Sequence, residues 1–362
     1  MENGSQSGAP TPRANPLLLG QGTAEDTLLT ASRSGRLPHA WLLSGPRGIG
    51  KATLAYRFAR FLLSDAESEQ GLFGPAAQDL NVAPESETFR RVAAAGHSDL
   101  VTVALGVDEK SGKPRKEIVV KDVRSVGDFL HMTPGEGGWR IVVVDSADDM
   151  NQSAANALLK VLEEPPRQAL LLLVSHAPGR LLPTIRSRCC QLPLQPLEDS
   201  LVIELLGRYA PNLAEDDRAA LAQLSEGSIG RALDLSAGGG LELYRELIAL
   251  LEGLPQLDVP RLYAFGDRLA RGSDATAFRT GTELLSWWLG RMIRGAAADE
   301  PPSEVVPGEA SLMGRLLARR SLAQWLSLWE KLGRLFAKAE SANLDRKQVV
   351  VTAFLQLEAP TD

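Results

Sequence analysis

Ser44-Gly45-Pro46-Arg47-Gly48-Ile49-Gly50-Lys51-Ala52-Thr53 decides the fold of this 362-residue chain. The apolar run Ala40-Trp41-Leu42-Leu43 precedes it and a helix-patterned run over 54–63 follows, so a glycine-rich loop stands where a strand hands over to a helix. There the glycines let successive backbone N–H groups turn toward an anion, the helix N-terminus adds partial positive charge, and Lys51 reaches the outer phosphates of a nucleotide. Gly45, Gly48, Gly50 and Lys51 are the candidate phosphate cradle. The stretch departs from G-x-x-x-x-G-K-[ST] at Ala52, because a methyl group offers no oxygen to Mg²⁺, a hard cation. Thr53 brings its hydroxyl one residue late, about 100° further round the helix. The cradle is complete and its metal ligand is missing.

Arg140-Ile141-Val142-Val143-Val144-Asp145 reads as a fully buried parallel strand with a carboxylate at its C-terminal end. Ligands of open α/β sheets bind at that edge, and an aspartate there holds the water shell of Mg²⁺ in phosphate-loop ATPases. An active ATPase follows it with a glutamate that polarises water; this chain has Ser146, which has no basicity at neutral pH. A strand-terminal Asp145 is also read more plainly as a helix cap, but two lesions at two motifs favour a decayed nucleotide site. Residues 169–174 form another buried strand, closing at Ser175-His176, where His176 reads as a structural or surface histidine. Helical spacing puts Leu54, Ala55, Phe58, Ala59, Leu62 and Leu63 on one inward face, and Ala154, Ala157, Leu158, Val161 and Leu162 on another. This alternation predicts an α/β fold, a right-handed, doubly wound parallel sheet with helices on both faces.

Further out, residues 1–14 read as a disordered leader. The segment 15–20 belongs either near a nucleotide base or in a core strand. Thr23 caps a helix bearing Leu28, Leu29 and Ala31. Residues 64–96 are an insertion too long for a simple turn. Strands are expected over 99–103 and 118–120 around a charged loop at 108–116, then a helix through Val123, Val126, Phe129 and Leu130. Residues 198–236 are helical, with Gly227-Ser228-Ile229-Gly230-Arg231-Ala232 opening the last helix; Arg231 lies either near the phosphates or exposed on that helix. Ala237-Gly238-Gly239-Gly240 is a hinge, and 241–357 reads as amphipathic helices with Trp287, Trp288, Trp325 and Trp329 as core or partner anchors. In Ser187-Arg188-Cys189, Arg188 stands at the domain edge with its guanidinium free, an arginine finger aimed at a neighbouring subunit's γ-phosphate; the plainer reading is a surface arginine pairing a carboxylate.

Composition excludes several classes. A net charge of −6 argues against a protein that grips nucleic acid over its whole surface, and 44% hydrophobic with 23% charged residues is ordinary for a soluble chain. The two cysteines, Cys189 and Cys190, are adjacent, which rules out a disulfide framework and a cysteine metal cage and points to a reducing cytoplasm. The first eight residues lack the apolar core of a signal peptide, and no apolar run is long enough to span a bilayer.

Together these residues resemble the delta prime family of bacterial clamp-loader subunits, members of the AAA+ proteins. The resemblance runs through Ser34-Gly35-Arg36-Leu37-Pro38-His39-Ala40-Trp41, His97-Ser98-Asp99-Leu100, Asn156-Ala157-Leu158-Leu159-Lys160-Val161-Leu162-Glu163-Glu164-Pro165-Pro166, Ser187-Arg188-Cys189 and Asn343-Leu344-Asp345-Arg346-Lys347. It implies an AAA+ P-loop domain over 15–196, an all-α lid over 197–238 and an all-α collar domain over 241–358. It also implies a stator without ATPase activity of its own, within a polymerase assembly. Arg188 would then serve the adjacent ATPase subunit, and Gly45, Gly48, Gly50, Lys51, Thr53, Asp145 and Arg231 would outline a degenerate nucleotide site. The implied partners are gamma/tau ATPase subunits and a delta subunit in a hetero-pentamer, with the sliding clamp and primed DNA beyond. No cofactor is required, ATP or ADP binding without hydrolysis is allowed, and the cysteine-free insertion implies no zinc.

Overall fold

The computed structural model describes residues 8–64, 78–107, 112, 115–136, 138–271, 275–300 and 303–359. The chain divides into two compact units, Met1–Ala210 with Glu226–Arg231, and Pro211–Ser225 with Ala232–Asp362.

The first unit runs α1 (Gly22–Arg33), β1 (Ala40–Ser44), α2 (Lys51–Leu63), α3 (Glu87–Ala93), β2 (Leu100–Val103), α4 (Val120–His131), β3 (Arg140–Val144), α5 (Gln152–Glu163), β4 (Ala169–Ser175), α6 (Pro183–Arg186), β5 (Cys190–Pro193) and α7 (Asp199–Tyr209). Among the described residues the strands make one five-stranded sheet in the order β2-β3-β4-β1-β5, every pairing parallel. Successive strand residues point to opposite faces, so the unbroken apolar runs feed two cores. Trp41, Leu43, Ile141, Val143, Leu170, Leu172 and Val174 join α1, α2 and α3 on one face. Ala40, Leu42, Val142, Val144, Leu171 and Leu173 join α4 and α5 on the other. This is a doubly wound parallel sheet, with the glycine-rich loop after β1 at the C-terminal edge of the strands.

Several local expectations are corrected. Residues 118–120 are not a strand: Ile118 makes one parallel bridge to Met150, and α4 starts at Val120. The β-branched run is overridden because the Asp122 carboxylate accepts the Val119 N–H at 3.0 Å and caps the helix, while Val123 and Val126 become its buried face. The leader is not wholly disordered, since Pro12–Ala14 form a 3₁₀ turn; residues 1–7 lie outside the described residues. Thr23 lies inside α1, whose N-cap is Gln21, and residues 15–20 form no strand. Part of the insertion, 65–77, and most of the 108–116 loop lie outside the described residues. The described remainder of the insertion holds α3, capped by Ser86 and docked through Phe89 and Val92.

One buried arginine explains the order of residues 12–16. Arg60, 1% exposed on α2, donates to the carbonyls of Arg13 at 2.7 Å and Asn15 at 2.8 Å, and stacks over the Phe89 ring at 4.4 Å.

Every regular element among the second unit's described residues is a helix: α8 (Glu215–Ser225), α9 (Ile229–Ala237), α10 (Gly240–Glu252), α11 (Val259–Ala270), α12 (Thr276–Ala298), α13 (Glu309–Leu317), α14 (Leu322–Ala342) and α15 (Arg346–Glu358), the first residues of α9 grouping with the first unit. Trp288 and Trp325 are core, as the helical spacing suggested, whereas Trp329 is 36% exposed and donates to the Ser286 carbonyl at 2.9 Å. Glu309, 1% exposed, is shared by the Tyr244 hydroxyl, the Val305 N–H and Arg291. No helix among the described residues is long and apolar enough to cross a membrane.

Arg60→Met should lower stability by about 2–4 kcal/mol, because two carbonyls lose their donor and a ring loses its cation. Denaturant unfolding checks the size, and hydrogen exchange should show the loss of protection concentrated at residues 12–17.

Candidate functional site

The turn after β1 carries Gly45, Gly48 and Gly50 at φ +141, +79 and +100°, a left-handed conformation that disfavours side chains. Packing restricts them as well. A Cβ on Gly45 would lie 2.6 Å from the Leu194 carbonyl oxygen, and one on Gly48 would lie 2.3 Å from Ser228 Oγ. Lys51 opens α2, is 3% exposed, and donates from Nζ to the carbonyls of Gly45 at 2.7 Å and Pro46. Burial lowers its pKa to about 8, against the opposing pull of Asp148 and Asp145. Ala52 packs against the α2-side core and carries no side-chain oxygen, and Thr53 is 7% exposed.

Asp145 ends the strand where it was expected. Burial raises its pKa, and Arg47 and Lys51 draw it back down. Ser146 adopts φ +61° and its Oγ lies 3.1 Å from His176 Nε2, so His176 belongs to the site and not to a remote surface. Burial and the charges of Lys51 and Arg47 lower the His176 pKa to about 4, keeping the ring neutral at pH 7.

Sequence reasoning missed three groups here. Asp148 ties the end of β4 to the turn after β3: Oδ1 accepts the Ser175 hydroxyl at 2.5 Å, and Oδ2 accepts the N–H of His176 and of Ala177 at 3.2 Å. Gln21, 4% exposed, donates to the carbonyls of Ile49 at 3.1 Å and Gln195 at 2.9 Å. Ser228 donates to the Arg47 carbonyl at 2.8 Å and accepts the Arg231 N–H at 3.1 Å, while the Gly230 N–H bonds the Gly48 carbonyl at 3.0 Å. Gly227-Ser228 before a helical run was a readable cap signal; the partner it would cap against was not. These bonds hold the start of α9 against the loop and bring Arg231 within one residue of it.

Arg188 is not brought to this loop. It lies past α6 at the far edge, its side chain 36% exposed, and its guanidinium is not free: Nη2 pairs with Glu163 Oε1 at 2.8 Å and Nη1 donates to the Thr184 carbonyl at 3.0 Å. A long side chain at a helix end finds the nearest carboxylate, which the one-dimensional reading could not locate.

Residues 20–198 match the family described as "DNA polymerase III, delta subunit". The chain is 38% identical to DNA polymerase III subunit delta prime of Pseudomonas aeruginosa over 221 residues, which is 60% of this chain and 61% of the relative. It is 31% identical to the Escherichia coli delta prime subunit over 64% of this chain and 65% of the relative, and 30% identical to the E. coli tau subunit over 60% and 32%. The chain therefore spans less than two thirds of the length of each of these relatives. A solved DNA polymerase III gamma-subunit-related protein from Thermotoga maritima aligns over 91% of this chain and 98% of its own at 20% identity and a TM-score of 0.37, a likeness that carries no argument about function. The matched family segment holds the phosphate loop, Asp145, Ser146, His176 and Arg188.

Gly230→Ala and the titration of His176 test the site, and Gly333→Ala is a comparison remote from it. A Cβ on Gly230 would lie 2.8 Å from the Gly48 Cα, so Gly230→Ala should destabilise by about 1–3 kcal/mol. Gly333→Ala, in open space on α14, should stabilise by about 0.5–1 kcal/mol, both read from denaturant unfolding. The unfolded chain protonates His176 as pH falls through about 6.5, while the folded chain does so only near 4. Stability should fall across that window by at most about 3 kcal/mol, and His176→Asn should flatten this part of the pH profile of unfolding.

Proposed function

We propose that the chain is the non-catalytic, delta prime-type stator of a DNA polymerase III clamp loader. In this reading it completes a neighbouring ATPase subunit's site with Arg188 and helps load a sliding clamp onto primed DNA in the bacterial cytoplasm. The observation that carries the reading is the pairing at the loop: the cradle is built and its lysine seated, while Ala52 offers Mg²⁺ no oxygen and the position for a water-polarising carboxylate holds Ser146, hydrogen-bonded to His176. A magnesium-dependent hydrolytic centre does not fit these residues. A phosphate fits the loop better, since Lys51 and the N-terminus of α2 supply the positive end. The carboxylates of Asp145, Asp148 and Asp149 nearby are opposed by the charges of Lys51, Arg47 and Arg180. Nucleotide binding without turnover, and no zinc, belong to this reading. So do a P-loop domain over 15–196, a lid over 197–238 and a collar domain over 241–358, with gamma/tau and delta chains as partners in a hetero-pentamer.

The second reading, an active AAA+ clamp-loader ATPase, is favoured by the retained Lys51 and by the similarity to the E. coli tau subunit. Hydrolysis assays separate the two. The purified chain should show no ATP turnover, and turnover abolished by Lys51→Ala would favour the second reading. In an assembly reconstituted with ATPase partners, Arg188→Ala should leave assembly intact and lower turnover by about 10³, the typical cost of one charged contact to a transferring phosphoryl group. An unchanged rate would remove Arg188 from the role.

A further inference from the structure

We propose that Glu163 is the positioning residue for Arg188, bracing the guanidinium in advance of its use. The proposal rests on reading Arg188 as a charge lent to a neighbouring active site. The backbone on both sides of Arg188 is fixed: Ile185 is fully buried, Cys189 is 8% exposed, and the Arg188 N–H bonds the Ile185 carbonyl at 3.1 Å. The same core cluster buries Val161 and Leu162, which carry the last turn of α5 and so Glu163. One packed cluster therefore sets both the base of the arginine and the base of its carboxylate.

What the backbone leaves undetermined is the long side chain itself. An arginine acting at a distance gives up rotamer freedom at the moment it acts, and a partner holding it beforehand reduces that loss. Glu163 Oε1 at 2.8 Å and the Thr184 carbonyl at 3.0 Å hold one hydrogen on each terminal nitrogen. A guanidinium has five N–H donors, so three remain for another ligand. The brace steers the fork without consuming it. With side chains 36% and 51% exposed the pair is a surface one, too weak to matter for the fold and strong enough to bias a rotamer.

The test is steady-state ATP hydrolysis by the assembly reconstituted with its ATPase partners, comparing Glu163→Ala, Glu163→Gln, Arg188→Ala and the Glu163→Ala/Arg188→Ala pair. Glu163→Ala should lower kcat about three- to tenfold with KM for ATP unchanged, as for a contact made only in the transition state. Glu163→Gln keeps an oxygen acceptor at the same reach and should recover part of the loss. The double variant should be no slower than Arg188→Ala alone, because an absent arginine cannot be braced. If Arg188→Ala lowers turnover while Glu163→Ala leaves it unchanged or raises it, the brace is overturned and the finger stands. The brace also falls if Glu163→Ala slows the Arg188→Ala assembly by its own full factor. A rate indifferent to Arg188→Ala overturns finger and brace together.

Discussion

A buried ammonium is the constraint around which the first unit is arranged. Lys51 is nearly inaccessible, and a lone ammonium away from water is costly unless other groups solvate it. The chain does so with the carbonyls of Gly45 and Pro46, which the left-handed glycines turn toward Nζ, and with the carboxylates of Asp145 and Asp148 at the ends of neighbouring segments. That one charge then sets the others. It opposes the effect of burial on Asp145 and, together with burial and Arg47, keeps His176 neutral so that the ring can share a hydrogen bond with Ser146. The loop, the end of β3 and the end of β4 thus form one electrostatic unit.

Asp148 shows how such a unit is made rigid. Its carboxylate receives a hydroxyl and two backbone N–H groups from the end of β4, which leaves it little capacity for a metal ion. Its negative charge still serves Lys51, but its lone pairs are spent on fastening two strands' ends together. Of the acidic groups near the loop, Asp148 is the one whose oxygens are committed to the end of β4. Ala52 adds no side-chain oxygen on the loop side, so the group the loop itself fixes is the Lys51 ammonium.

The doubly wound sheet was legible because the runs that became β1, β3 and β4 are apolar on both faces, the pattern of a strand covered on both sides. The loop glycines and Lys51 were legible because their spacing has a mechanism. The edge strand β5 was not read, since only Leu192 in it is buried and its pattern is that of a loop. The run 118–120 was misread because β-branched composition speaks for a strand, while the deciding group, Asp122, acts two residues inside the helix it caps. Gln21 and Ser228 escaped notice for a different reason: their partners are backbone carbonyls 174 and 181 residues away, and backbone atoms carry no sequence signal.

The same distinction separates the loop positions that packing holds from those it does not. Gly48 and Gly230 approach so closely that any side chain on either must displace the other's backbone or Ser228, so those positions are held by packing. Positions 52 and 146 are held by nothing comparable. Ala52 is a good helix former resting against the α2-side core, and Ser146 is accommodated in its turn by a bond to His176. The fold itself does not dictate the side chain at either position. The sheet edge, the loop and its buried cation therefore do not depend on which side chains stand at positions 52 and 146.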